Sequence, residues 1–154
     1  MRKAGVYTVA AQIDGLAPIK RVSDHQRDDG HTLELHLPWG PSANDFKIPH
    51  PKVRGLYFLT KRAKQFRLDV QKLCIGARRF GAEAEILLDI TLHPPDKRKR
   101  DADNFAGKAL FDALQAAEIF ADDSQIESYR VTKSTVVKGG LVVVKVSQRE
   151  NIKC

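Results

Sequence analysis

From residue 83 the chain reads Glu83-Ala84-Glu85-Ile86-Leu87-Leu88-Asp89-Ile90-Thr91-Leu92-His93-Pro94-Pro95-Asp96-Lys97-Arg98-Lys99-Arg100-Asp101-Ala102-Asp103-Asn104-Phe105, and this stretch decides the fold. Ala84, Ile86, Leu88, Ile90 and Leu92 recur at every second position, which places them on one face of a strand. Leu87 breaks the polarity of the other face, so this is expected to be a central strand. It ends at Pro94-Pro95, since proline has no N–H for a ladder. A helix is expected over residues 104–117, where Phe105, Ala109, Leu110, Ala113, Leu114 and Ala117 make one apolar stripe.

Working upstream, Leu59, Ala63, Phe66, Val70 and Leu73 mark another helix. Its other face carries Lys61, Arg62, Lys64, Arg67 and Lys72, either a solvated face or one that meets phosphates. Residues 43–58, rich in Lys, His and Pro, read as a loop. Before them, Leu33, Leu35 and Leu37 alternate with Thr32, Glu34 and His36 as a half-buried strand that stops at Pro38-Trp39-Gly40-Pro41-Ser42. Residues 19–30 are mostly polar and suggest a loop or mobile arm, while Val6 to Ile13 suits a strand. Downstream, strands near Gln125 to Ser134 and Leu141 to Ser147 flank Lys138-Gly139-Gly140 and read as a hairpin. The sum is a single α+β domain with a mixed β-sheet and two main helices.

The 154 residues suffice for one domain with a core, and 42% hydrophobic with 29% charged residues suits a globular protein. No run approaches the roughly 20 apolar residues of a membrane helix. Met1-Arg2-Lys3 and the stretch that follows superficially resemble a leader, but Gln12 and Asp14 cut the apolar region short, so it reads as structure. Two cysteines, Cys74 and Cys154, do not make a disulfide framework and fit a reducing cytoplasm. The net charge of +7 favours a polyanionic partner, nucleic acid or an anionic membrane surface.

Chemistry concentrates between Asp96 and Lys138. Asp101 and Asp103 are two residues apart, so in an extended segment both carboxylates face one side. They precede a helix, whose free N–H groups favour negative charge, and Asp103 alone reads equally well as an N-cap. Two adjacent carboxylates need positive charge between them, which Lys97 to Arg100 or a divalent cation would supply; magnesium prefers such oxygen ligands. A second acidic pair, Asp122-Asp123, is within reach of the first if the chain folds back along the helix. The histidines show no zinc spacing, and no nucleophile elbow is present.

The run Pro95 to Asn104 resembles the acidic signature of RusA-type Holliday junction resolvases. Lys108, Phe111-Asp112-Ala113-Leu114, Asp122-Asp123-Ser124-Gln125-Ile126, Tyr129-Arg130-Val131-Thr132-Lys133 and Lys138-Gly139-Gly140 follow in the family's order. Leu37 to Asn44 resembles the family's opening strand and loop. The resemblance implies a RusA-like fold and a homodimer that cuts four-way or other branched DNA symmetrically with magnesium. It implies Asp101, Asp103 and Asp123 as metal-binding catalytic acids, Asp122 as their helper and Lys108 as the catalytic lysine. Lys97, Arg98, Lys99, Arg100, Arg130, Lys133 and Lys138 would meet DNA, each with an alternative as an ordinary exposed residue.

One residue more than the family pattern separates Asp103 from Lys108, and Gly107 lies in the gap. A bulge or a later helix start would absorb it. The domain is expected over residues 32–148, with 1–31 an extension (an extra strand or an arm) and 149–154 a tail. The implied location is the cytoplasm, with a phage or prophage origin, and no membrane partner. Two other readings stay open: a branched-DNA-binding protein that has lost catalysis, and a nuclease for other branched DNA.

Overall fold

The structure is a computed structural model that describes residues 20–23, 25–105 and 107–150. The strand expected over residues 6–13 lies outside them. In chain order come β1 (Lys20–Ser23), β2 (Gln26–Asp28), β3 (Thr32–Leu37), β4 (Lys47–Pro49), β5 (Tyr57–Leu59) and α1 (Lys61–Leu73). Then follow β6 (Ile86–His93), α2 (Lys108–Ala116), β7 (Ile126–Lys133) and β8 (Leu141–Gln148). Short 3-10 turns occupy Ala43–Asp45, Ala102–Asn104 and Asp123–Gln125.

Six strands make one mixed sheet in the order β1-β2-β3-β8-β6-β7. Its apolar face is laid down in cross-strand rows: Leu33–Val146–Leu88, Leu35–Val144–Ile90 and Leu37–Val142–Leu92. Phe66 and Val70 of α1, with Leu110, Ala113 and Leu114 of α2, close over these rows. Burying one such side chain stabilises the fold by roughly 1.5–3 kcal/mol, so the two helices and the sheet face are one cooperative unit. Cys74 is buried with them, and burial pushes its thiol up to about 12.

The central strand expected at 83–92 is β6, flanked by β8 and β7. β6, α2 and β7 form a parallel crossover unit, so the candidate site is built within a single βαβ connection. Four sequence expectations are corrected. The hairpin expected from residues 125–147 does not exist, because β6 lies between β7 and β8. The loop expected over residues 19–30 contains β1 and β2, whose Gln26 is buried and donates to the carbonyls of Leu73 and Ile75. The loop expected over residues 43–58 contains the antiparallel pair β4–β5. Finally, β3 is not half-buried: Glu34 and His36 are buried as well, joined by a 2.6 Å hydrogen bond.

On the sheet face away from the helices, Arg27, Glu34, Lys145, Asp89 and Arg130 stand in one cross-strand row of alternating sign. Opposite charges directly across a sheet stabilise register.

Candidate nuclease site

Asp101 closes the segment after β6 in an extended conformation, and the 3-10 turn Ala102–Asn104 begins immediately after it. Asp103 is therefore inside the turn, and the simple two-residue alternation does not describe the pair. Both aspartates are exposed, and among the described residues neither carboxylate takes part in a hydrogen bond or ion pair. The turn is held from below: Phe105 packs on Trp39, ring centroids 4.7 Å apart, and Ala102 and Phe105 touch the core.

The helix expected from residue 104 starts at Lys108, with Gly107 as its N-cap. The interval between Asp103 and Lys108 is thus spent on a turn and a cap, not on helix. A Cβ at Gly107 would lie 3.1 Å from the Asp103 carbonyl oxygen, so the cap and the acidic turn are close-packed. Lys108 Nζ donates to Asp123 Oδ2 at 2.9 Å. That contact, chiefly through its hydrogen bond, raises the Lys108 ammonium above its ordinary value. The N–H of Asp123 donates to Gln115 Oε1 at 3.1 Å. Lys108 and Gln115 are seven residues apart, two turns along one helix face, so α2 holds Asp123 at two points.

Asp122 has a different occupation. It caps the 3-10 turn Asp123–Gln125, accepting from the Ser124 N–H, while Gln125 Oε1 accepts from Asp122 in return. The Ser124 backbone N–H is the main cause of its lowered carboxyl pKa. Gln125 also donates to the carbonyls of Gly81 and Ala84, which ties the turn to the loop that leads into β6.

The basic run does not lie between the aspartates. Arg100 forks onto Asp96 at 2.6 and 3.0 Å, and this hydrogen-bonded pair, with the Arg98 N–H, pulls the Asp96 carboxyl down to about 2. Lys97, Lys99 and Lys138 are exposed, and among the described residues they form no ion pair. Lys133 donates to the Arg100 carbonyl oxygen at 3.0 Å. Arg130 is on the opposite sheet face from Lys133 and pairs with Asp89 at 2.8 Å.

A cleft of about 310 Å³ opens beside this segment, lined by Trp39, Leu92, Arg100, Asp101, Phe105 and Lys133 among others. Asp103, Lys108 and Asp123 are not part of its wall. Among the described residues no three His, Cys, Asp or Glu side chains converge into a ready-made metal cluster. The acidic turn just before α2 and the Lys108–Asp123 pair at the first residue of α2 are thus close in the chain without forming one cluster. Sequence reading does not pair Trp39 with Phe105, because the two are distant in the chain.

Comparison with known proteins identifies the family. Residues 41–147 match the model of the family described as endodeoxyribonuclease RusA. The chain is 34% identical over 122 residues to proteins named crossover junction endodeoxyribonuclease RusA from Enterobacteria phage 82, Shigella sonnei and Escherichia coli. Each alignment covers 79% of this chain and 98% of the relative. Among the described residues no helix is long and apolar enough to cross a membrane. On the matched length and the identity, the chain belongs to the endodeoxyribonuclease RusA family.

Proposed function

We propose that the chain is a magnesium-dependent endonuclease that resolves four-way DNA junctions by paired, symmetric phosphodiester hydrolysis inside the cell. The observation that carries this reading is the pair of exposed, uncommitted carboxylates of Asp101 and Asp103 on a turn next to the Lys108–Asp123 ion pair. Two free carboxylates suit a hard cation that keeps several of its waters, so a closed protein cage is not required. When bound, such an ion supplies Lewis-acid charge and an acidified water.

The chain's own residues do the remaining work. Asp101 and Asp103 would hold the ion, and Asp123 is the third acidic group of the site. Lys108, kept protonated by Asp123, neutralises charge that develops on the phosphoryl oxygens. Asp122 positions Asp123 by capping the turn that carries it. Lys97, Lys99, Lys133 and Lys138 offer ammonium groups to the phosphates around the cut, with Arg98 and Arg100 shaping that segment. Arg130 faces away and serves a different part of the DNA or the sheet itself. One chain supplies one acidic turn, so two symmetric cuts call for a homodimer. Within it, residues 32–148 would form the nuclease domain, with 1–31 an extension and 149–154 a tail.

The decisive experiment incubates wild type and Asp103→Asn with a synthetic four-way junction and magnesium. Wild type should nick opposing strands symmetrically, and the variant should bind the junction without cutting it. Normal cutting by the variant refutes the metal site. Binding without cutting by wild type selects the binding-only reading, and preferred cutting of flaps or forks selects a nuclease for other branches.

A further inference from the structure

The β4–β5 hairpin presents an unusual surface. Ile48, Val53, Leu56, Tyr57 and Phe58 are each 45–57% exposed within eleven residues of chain. Clustered exposed apolar side chains mark a contact surface. The segment is also built. His50 Nδ1 accepts from the N–H groups of Lys52 and Val53, and its ring lies 4.9 Å from that of Phe58. Ile48 faces Phe58 across the ladder, and Pro49 faces Tyr57.

Its base is fixed to the rest of the molecule. The Thr60 N–H donates to the Phe46 carbonyl at 3.1 Å, and Thr60 Oγ1 donates to the Asp45 carbonyl at 2.7 Å. The 3-10 turn Ala43–Asp45 at this base packs on the turn Ala102–Asn104, which carries Asp103. The hairpin therefore springs from beside the acidic turn.

Charge selects the occupant. Between Asp45 and Asp69 there is no acidic residue, while Lys47, Lys52, Arg54, Lys61 and Lys64 are all exposed. An apolar, aromatic surface in a purely basic frame fits base faces flanked by phosphates. A continuous duplex hides those faces in its stack; a branch point opens them. Apolar side chains entering between base steps are a known means of holding DNA unstacked.

We propose that the β4–β5 hairpin is a wedge whose Tyr57 and Phe58 rings, one on each face of the ladder, stack on bases opened on either side of it at the branch point, giving the site its preference for branched DNA. This rests on the nuclease reading above. The test uses the full-length chain with Tyr57→Ala and Phe58→Ala, singly and combined, and with Tyr57→Phe. Both rings are exposed, so thermal midpoints should stay near wild type. Binding is measured against a four-way junction carrying 2-aminopurine beside the branch, and against duplex of equal length.

Wild type should quench the 2-aminopurine signal. Each alanine variant should lose quenching and about tenfold in the junction-to-duplex affinity ratio. Tyr57→Phe should keep both. An unchanged ratio in the double variant, with wild type still cutting junctions, overturns the wedge and leaves the nuclease reading standing. A double variant that falls from dimer to monomer overturns it too, assigning the hairpin to a contact between copies. If wild type neither prefers nor cuts junctions, the wedge falls together with the reading beneath it.

Discussion

Lys108 and Asp123 face solvent to different degrees, 61% and 32% exposed, and their 2.9 Å contact is worth little to the fold. Exposed pairs contribute about 0–1 kcal/mol. Lys108→Met should therefore unfold at nearly the wild-type denaturant midpoint, yet cut junctions about 10²-fold more slowly or worse, the scale seen when a charge-stabilising donor is removed. Because the Lys108 pKa is raised, its charge persists through the neutral range and is lost only as pH rises through the raised value. Asp96 runs the other way. Its carboxyl is depressed to about 2, so the Arg100 contact is in place above the ordinary carboxylate range and is lost as pH falls through about 2. A carboxyl NMR titration should place the Asp96 midpoint there, and Arg100→Gln should move it back up towards the ordinary value.

At the scale of elements, the turn before β8 depends on glycine for two separate reasons. Gly139 and Gly140 both have positive φ, at +83° and +79°. A Cβ at Gly139 meets open space, whereas one at Gly140 would lie 2.5 Å from Trp39 Cβ. Gly139→Ala should cost about 1–2 kcal/mol from backbone strain alone. Gly140→Ala should cost clearly more, because Trp39 supports Phe105 and the acidic turn; urea denaturation of the pair reads the difference.

The same elements explain what could be read from the chain. β6 and α1 announced themselves because one face of each is apolar at the right period. The four consecutive apolar residues Leu141 to Val144 carried a further signal, since a strand buried on both faces belongs inside a sheet and not in an edge hairpin. β2 gave no such signal: Gln26 is buried by hydrogen bonding, which hydropathy does not register. The start of α2 was misplaced because Phe105 continues the helical stripe in sequence while packing on Trp39 from a turn. Asp101, Asp103 and Lys108 were readable as candidates from motif and order. Their spacing in the fold was not, because a 3-10 turn and a glycine cap fill the interval that a helix was expected to fill.

For the whole molecule, a net charge of +7 sets the expected mode of encounter with DNA. Each phosphate neutralised releases counterions, so the logarithm of junction affinity should fall linearly and steeply with the logarithm of salt concentration. Filter binding between about 50 and 200 mM salt measures the slope; a flat response would contradict a phosphate-contacting surface. The charge row Arg27–Glu34–Lys145–Asp89–Arg130 largely satisfies itself, so the slope should come chiefly from the helix side.

The position of β8 governs when this architecture can exist at all. It is the last strand of the described residues, yet it separates β3 from β6 and joins the two halves of the sheet. As the chain leaves the ribosome, β3 and β6 wait with open edges until residues 141–148 emerge to fill the space between them. Pairing of such distant segments makes folding slow. During that interval the nascent chain already carries its acidic turn and its basic run Lys97 to Arg100, but not the complete sheet that holds them in register.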